Sequence, residues 1–200
     1  MSRRFPFPYG RNHINILISG ASGCGATSLI ESFISMCDEV LIHNEFYSDT
    51  VACQFRFFMD NHLYIIRTCD LSENPLTPPV DHPVPELHYR MDVIIYLYSI
   101  DDLDSLYHVM DLLEVKDEVG DLPCVLVGNK VDLRRTWEIM GRSNEGRNNF
   151  VSFKEAAIVA EEYNISWIVE CSARTGQLIP DVLKAAVSSY LGKKGKRKRI

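Results

Sequence analysis

Long apolar runs are missing from this 200-residue chain. None approaches the roughly 18 residues that a bilayer span needs, and Met1 to Gly10 hold Arg3 and Arg4 but no apolar signal region. Cysteine is present without a pattern. Cys24, Cys37, Cys53, Cys69, Cys124 and Cys171 form no C-x-x-C pair and no metal-ligand rhythm, and each lies in or beside an apolar stretch. That excludes a disulfide scaffold and fits reduced, buried thiols in a cytosolic protein. Repeats and low-complexity tracts are also lacking. What remains is an ordinary composition, 46% apolar and 24% charged, long enough for one domain with a sizeable core.

Charge is unevenly spread. The formal net charge is −6, yet Lys193 to Arg199 hold six basic residues in seven positions; without those six positive charges the remainder stands at −12. An acidic body with no aromatic-interleaved basic patch argues against nucleic acid as a partner. The basic tail fits an anionic membrane surface, a nuclear-import signal or a solvated end.

Strand-like and helix-like stretches alternate. His13 to Ser19, Val93 to Ile100, Cys124 to Val127 and Ile165 to Val169 read as buried strands, and Phe55 to Met59 with Leu63 to Arg67 flank the turn residues Asp60 and Asn61. Thr27 to Met36, Leu103 to Val115, Phe153 to Tyr163 and Ile179 to Leu191 have helical spacing, the third opened by a Ser152/Glu155 capping box. Five prolines at Pro75, Pro78, Pro79, Pro83 and Pro85 mark a loop. Continuous Ile/Val/Leu strands between helices predict an α/β fold, a mostly parallel six-stranded sheet covered on both faces. Ligands collect at the carboxyl ends of such strands.

Three of those ends carry polar motifs. Gly20-Ala21-Ser22-Gly23-Cys24-Gly25-Ala26-Thr27 follows the first strand and opens the first helix, the context of a phosphate-binding loop of pattern G-x-x-x-x-G-K-[ST], with Ala26 in the place of lysine. Alone it is equally a Gly-rich turn. Asn129-Lys130-Val131-Asp132 follows Cys124 to Val127; its aspartate can accept two N–H groups of a guanine while asparagine and lysine fix the loop and cover the base. Glu170-Cys171-Ser172-Ala173-Arg174 closes the last strand. Together, in this order, they are a specific signal.

On these motifs the chain resembles a small GTPase of the Ras superfamily over about residues 12–191. Ser99-Ile100-Asp101 with Ser105-Leu106, and Val127 to Arg134, resemble its Rho branch. Asp132 and Glu170 are separated by 37 residues, and the surplus at 135–150 falls where Rho-like proteins carry an insert helix; another loop insertion is the alternative. The Rad/Gem group, which also lacks a lipidation box, is the rival subfamily. The domain plan is an extension at 1–11, the GTPase-like domain at 12–191 and a polybasic tail at 192–200. The resemblance implies GTP or GDP at Gly20, Gly23, Cys24, Gly25, Ala26, Thr27, Ser28, Asn129, Lys130, Asp132, Ser172, Ala173 and Arg174, with Mg²⁺ at Thr27 and Thr50.

Departures from the family pattern bear on turnover, and no residue is assigned a catalytic role. Ala26 cannot pair with the outer phosphates. Where the family has D-x-x-G-Q, this chain is aligned as Arg67-Thr68-Cys69-Asp70-Leu71, and Ser22 stands at a usual glycine. Arg67 either partly replaces the missing lysine and a weakened magnesium ion, or points to solvent or pairs with Asp70. Thr50 serves as the switch threonine only if the segment before it is lengthened, since a gapless register puts Glu45 there. The chain ends without a cysteine box, so prenylation is not expected. Trp137, Ile139 and Met140 either anchor the insert or bind a partner. The expected function is a Rho-like signalling protein that binds guanine nucleotide with impaired hydrolysis and engages effector or regulatory proteins. Its rivals are a nucleotide-free adaptor and a working GTPase, and its expected location is cytoplasmic, with membrane or nuclear association through the tail.

Overall fold

The structure, a computed structural model, describes residues 12–37, 40–47, 50–70, 91–114, 122–139 and 150–197. Its elements are β1 (His13–Gly20), α1 (Ala26–Ser35), β2 (Val40–Tyr47), β3 (Thr50–Met59), β4 (His62–Asp70) and β5 (Val93–Ser99), followed by α2 (Leu103–Glu114), β6 (Cys124–Asn129), α3 (Val131–Ile139), α4 (Phe153–Glu162), β7 (Ile168–Glu170) and α5 (Ile179–Arg197).

The sheet runs β2-β3-β4-β1-β5-β6-β7. Its centre, from β4 to β7, is parallel, while β3 pairs antiparallel with both β4 and β2. This is the expected α/β architecture with one strand, β2, beyond the six read from the sequence. Alternation along β1 sends Ile14, Ile16 and Ile18 to a core shared with α1 and α5, and Leu17 to a second core beneath α2 and α4. Helices therefore cover both faces, and the parallel strands end on one edge.

Local chemistry sets most boundaries. Asp60 and Asn61 both adopt positive φ, the two-residue turn that a right-twisted hairpin favours. The Ser152/Glu155 box is formed in both directions at the start of α4. Asn164, at φ 55°, ends that helix, and Ile165 donates its N–H back to the Ala160 carbonyl. Ile165 thus belongs to the helix stop, and β7 begins three residues later than the sequence pattern suggests. At the other end, α5 passes Leu191 and runs to Arg197, as lysine and arginine are good helix formers and favourable near a helix C-terminus.

The N-terminal extension, the proline-rich segment, Met140 and the rest of the insert to residue 149 lie outside the described residues. Trp137 and Ile139 fall on α3 by backbone, their side chains outside that description.

Candidate functional site

The loop between β1 and α1 is built on glycine. Gly20 ends β1 where an added Cβ would stand 2.1 Å from the Leu97 carbonyl oxygen of β5. Gly25 has φ 91°, and a Cβ there would lie 2.6 Å from Asn129 Nδ2, so both backbone conformation and space exclude a side chain. Gly25 is also the N-cap residue of α1 and supplies no capping side chain, so the first N–H groups of the helix turn toward the loop. Successive N–H groups at a helix start form an anion-binding cradle.

Asn129, at the end of β6, fastens three strand ends. Its Nδ2 donates to the Cys24 carbonyl at 3.0 Å, and its Oδ1 accepts the Ala173 N–H at 3.0 Å. Asp132 lies one turn along: Ser172 donates its hydroxyl to Oδ1 at 2.6 Å, and Arg174 Nη1 stands 3.9 Å from Oδ2. Lys130 takes a left-handed backbone, φ 68°, and extends its ammonium to within 3.7 Å of Asp101. The Val131 N–H donates to the Cys171 carbonyl, joining the two loops through the main chain as well. Beside them opens a cavity of about 660 Å³ whose walls include Gly25, Ser28, Asn129, Lys130, Asp132, Ala173 and Arg174. Seven of the residues expected to hold nucleotide thus line one hollow.

Behind the hollow, Arg134 grips Glu170 with two nitrogens, at 2.7 and 2.9 Å, and donates also to the Val151 carbonyl. Glu170 immediately precedes the Cys171-Ser172-Ala173 turn, and Arg134 lies two residues after Asp132. This clamp was not among the expected site residues, although Arg134 and Glu170 each bordered a recognised motif.

The outer end of the loop requires a correction. Strand β4 continues three residues past Arg67, to Asp70, which pairs with Ile18 at the end of β1. The Thr27 hydroxyl donates to Asp70 Oδ2 at 3.0 Å. Asp70, not Arg67, is therefore the aspartate beside the phosphate-loop threonine. Arg67 sits inside β4 between Asn15 and Gln54, and strand alternation puts it with Cys69 on the sheet face away from α1. Neither Arg67 as a lost aspartate nor Arg67 as a stand-in for lysine agrees with that geometry. Ala26 is 2% exposed, its methyl in the core with Leu29 and Phe33. Thr50 starts β3 opposite Tyr47, and Glu45 falls in β2; both side chains lie outside the described residues.

Thr27 and Asp70, joined by their hydrogen bond, are hard oxygen donors of the kind Mg²⁺ takes. Among the described residues no cluster of three or more His, Cys, Asp or Glu is arranged to hold a metal. Five of the six cysteines are buried and all are free thiols, as the sequence implied. Burial, above all, pushes the Cys24 thiol up to about 11, with the charge of Asp70 adding to it and that of Lys130 opposing. Cys171 rises to about 12, again mainly through burial.

A Gly-rich loop at a strand-to-helix junction, beside two further strand-end loops on the same sheet edge, defines a P-loop α/β protein with a candidate nucleotide site. The family model described as the Ras family matches residues 83–191, and the chain belongs to that family. Its relatives include GTP-binding protein RHO1 of Eremothecium gossypii, 36% identical over 110 residues, which cover 54% of this chain and 53% of that protein. Rho-related protein racM of Dictyostelium discoideum is 28% identical over 105 residues, 52% of this chain and 53% of the relative. GTP-binding protein rho2 of Schizosaccharomyces pombe is 30% identical over 109 residues, 54% of each. The chain spans about half the length of these relatives, and the kinship is to the Rho type of small GTPase. No helix among the described residues is long and apolar enough to cross a membrane.

Proposed function

We propose that this protein is an atypical Rho-like signalling protein that binds guanine nucleotide and hydrolyses GTP little or not at all. The observation that carries the reading is the base end. Asp132 is oriented by Ser172, and Asn129 locks the Gly-rich loop to Ala173, so the groups that read a guanine are held in place around an open hollow. The names of RHO1 and rho2 as GTP-binding proteins support the same ligand.

Impaired hydrolysis rests on the loop and on the sequence after β4. Ala26 supplies no cation to the outer phosphates, and Ser22 replaces a glycine. With Asp70 as the aspartate, D-x-x-G-Q becomes Asp70-Leu71-Ser72-Glu73-Asn74, so the glycine is Glu73 and the water-orienting glutamine is Asn74. Mg²⁺, held at Thr27 and Asp70, would neutralise phosphate charge. Thr27 and Asp70 fix one another's orientation, Lys130 covers the base, and the Gly23–Gly25 backbone receives phosphate oxygens.

The domain plan, with the GTPase-like unit at 12–191, fits this reading, as do effector contacts through surfaces flanking the site. The helical basic end of α5 suits an anionic surface. The adaptor reading draws on one observation, the core burial of Ala26 where a lysine would reach for phosphate. Denaturing purified protein and chromatographing what is released separates the two. GDP or GTP in the supernatant supports nucleotide binding, whereas an empty preparation that also ignores added nucleotide establishes the adaptor.

A further inference from the structure

Helix α1 has two unlike faces. Leu29, Ile30 and Phe33 are buried in the core shared with α5, which leaves Ser28, Glu31, Ser32 and Ser35 together on the opposite side. A polar stripe of that kind ordinarily meets solvent alone. Here all four residues line the hollow of about 660 Å³, together with the base-reading loops that carry Asn129, Asp132 and Ala173. Ser28 lies in the first turn, next to the Gly25 end of the backbone cradle. Glu31 and Ser32 follow about one turn, or roughly 5 Å, further along the axis. Ser35 comes a turn later, and its hydroxyl donates back to the Glu31 carbonyl at 2.8 Å, which commits it to the helix itself. Glu31 is exposed, so its carboxylate is the acceptor that this wall offers to a ligand.

A hollow of this size takes a whole small ligand rather than a base alone. A nucleoside diphosphate fills it in a fixed covalent order, with the ribose between base and phosphates. With the base at Asp132 and the phosphates at the Gly23–Gly25 backbone, the sugar falls against the α1 wall just beyond Ser28. A ribose presents hydroxyl donors there, and an acidic side chain is the usual reader of a ribose 2′-hydroxyl in nucleotide-binding α/β folds. We infer that Glu31 reads the sugar: its carboxylate accepts from the ribose 2′-hydroxyl, and the site prefers a ribonucleotide to its 2′-deoxy counterpart. This specificity role deepens the guanine-binding reading above and rests on it. Asp132 then selects the base and Glu31 the sugar, from different elements, so the two selectivities separate by mutation.

The test is calorimetric titration of the full chain with GDP and with 2′-deoxy-GDP, on wild type, Glu31→Ala and Glu31→Gln, each checked by thermal melting. Wild type is expected to bind GDP about tenfold more tightly than 2′-deoxy-GDP, the low end for a hydrogen bond to a carboxylate because Glu31 is exposed. Glu31→Ala should weaken GDP and spare 2′-deoxy-GDP, bringing the two affinities within about twofold of each other. Glu31→Gln keeps one acceptor oxygen without the charge and should give an intermediate ratio. Equal binding of the two ligands by wild type, or a preference that survives Glu31→Ala, overturns the assignment and leaves guanine binding standing. A chain that binds neither nucleotide overturns both.

Discussion

Thr27 donates its hydroxyl to Asp70 across the mouth of the Gly-rich loop, and this bond fixes the alignment of the chain after β4. On the proposed reading, Asp70 is the acidic residue of the outer phosphate end and would support a divalent cation with Thr27. Asp70→Ala should therefore remove the part of GDP affinity that depends on Mg²⁺. Titrations of the variant with GDP should give the same affinity in Mg²⁺ and in EDTA, while wild type differs between them.

Asn129 is the joint of the base end, 2% exposed and bonded to both Cys24 and Ala173. Asn129→Ala strands a buried carbonyl at Cys24 and a part-buried N–H at Ala173, at a cost of about 1–3 kcal/mol. Thermal melts should show that loss, and GDP binding should fall with it. Asn129→Asp replaces the Nδ2 donor with a carboxylate oxygen facing the Cys24 carbonyl; it should break that contact and add repulsion there, while the other oxygen still accepts from Ala173.

The Arg134–Glu170 clamp predicts that arginine and lysine are not equivalent there. Lysine at 134 can make one contact, not the two parallel bonds and the third to Val151. Arg134→Lys should destabilise the domain by about 1–2 kcal/mol in urea unfolding, since both partners are mostly sheltered from solvent. GDP affinity should fall too, because the clamp braces the Ser172–Ala173 turn.

Glu155 tests the pH dependence. Its carboxyl is held below the usual range by hydrogen bonds from the Ser152 side chain and backbone. A depressed carboxyl stabilises the fold above its unfolded pKa and loses that contribution as pH falls through the folded one. Ser152→Ala should cost about 1 kcal/mol at pH 7 and less as the pH falls below the usual carboxylate range, measured by unfolding as a function of pH.

How much of this was legible in the sequence depended on how local the determinants were. The Asp60-Asn61 turn, the Ser152 box and the Ile/Val/Leu strands are short-range patterns, and each stands where the residues implied. The Gly-rich loop was legible because Gly25 must adopt a left-handed φ that few other residues tolerate. The length of β4 was not. Whether Arg67 or Asp70 meets Thr27 depends on where a strand stops, and no cap or proline marks that point until Pro75. Hydrophobic alternation runs through Arg67 unchanged. Strand β2 was missed because only Ser48 and Asp49 separate it in sequence from its partner β3, and neither is a glycine. The Arg134–Glu170 clamp needed the fold itself, since 35 intervening residues separate the two ions.

The central claim is that the base end reads guanine. Its most direct measurement is calorimetric titration of the full chain with GDP and with ADP, repeated on Asp132→Ala. The account predicts binding of GDP, none of ADP, and loss of GDP binding in the variant with the thermal transition retained. Equal binding of GDP and ADP, or GDP binding undiminished by Asp132→Ala, would contradict it.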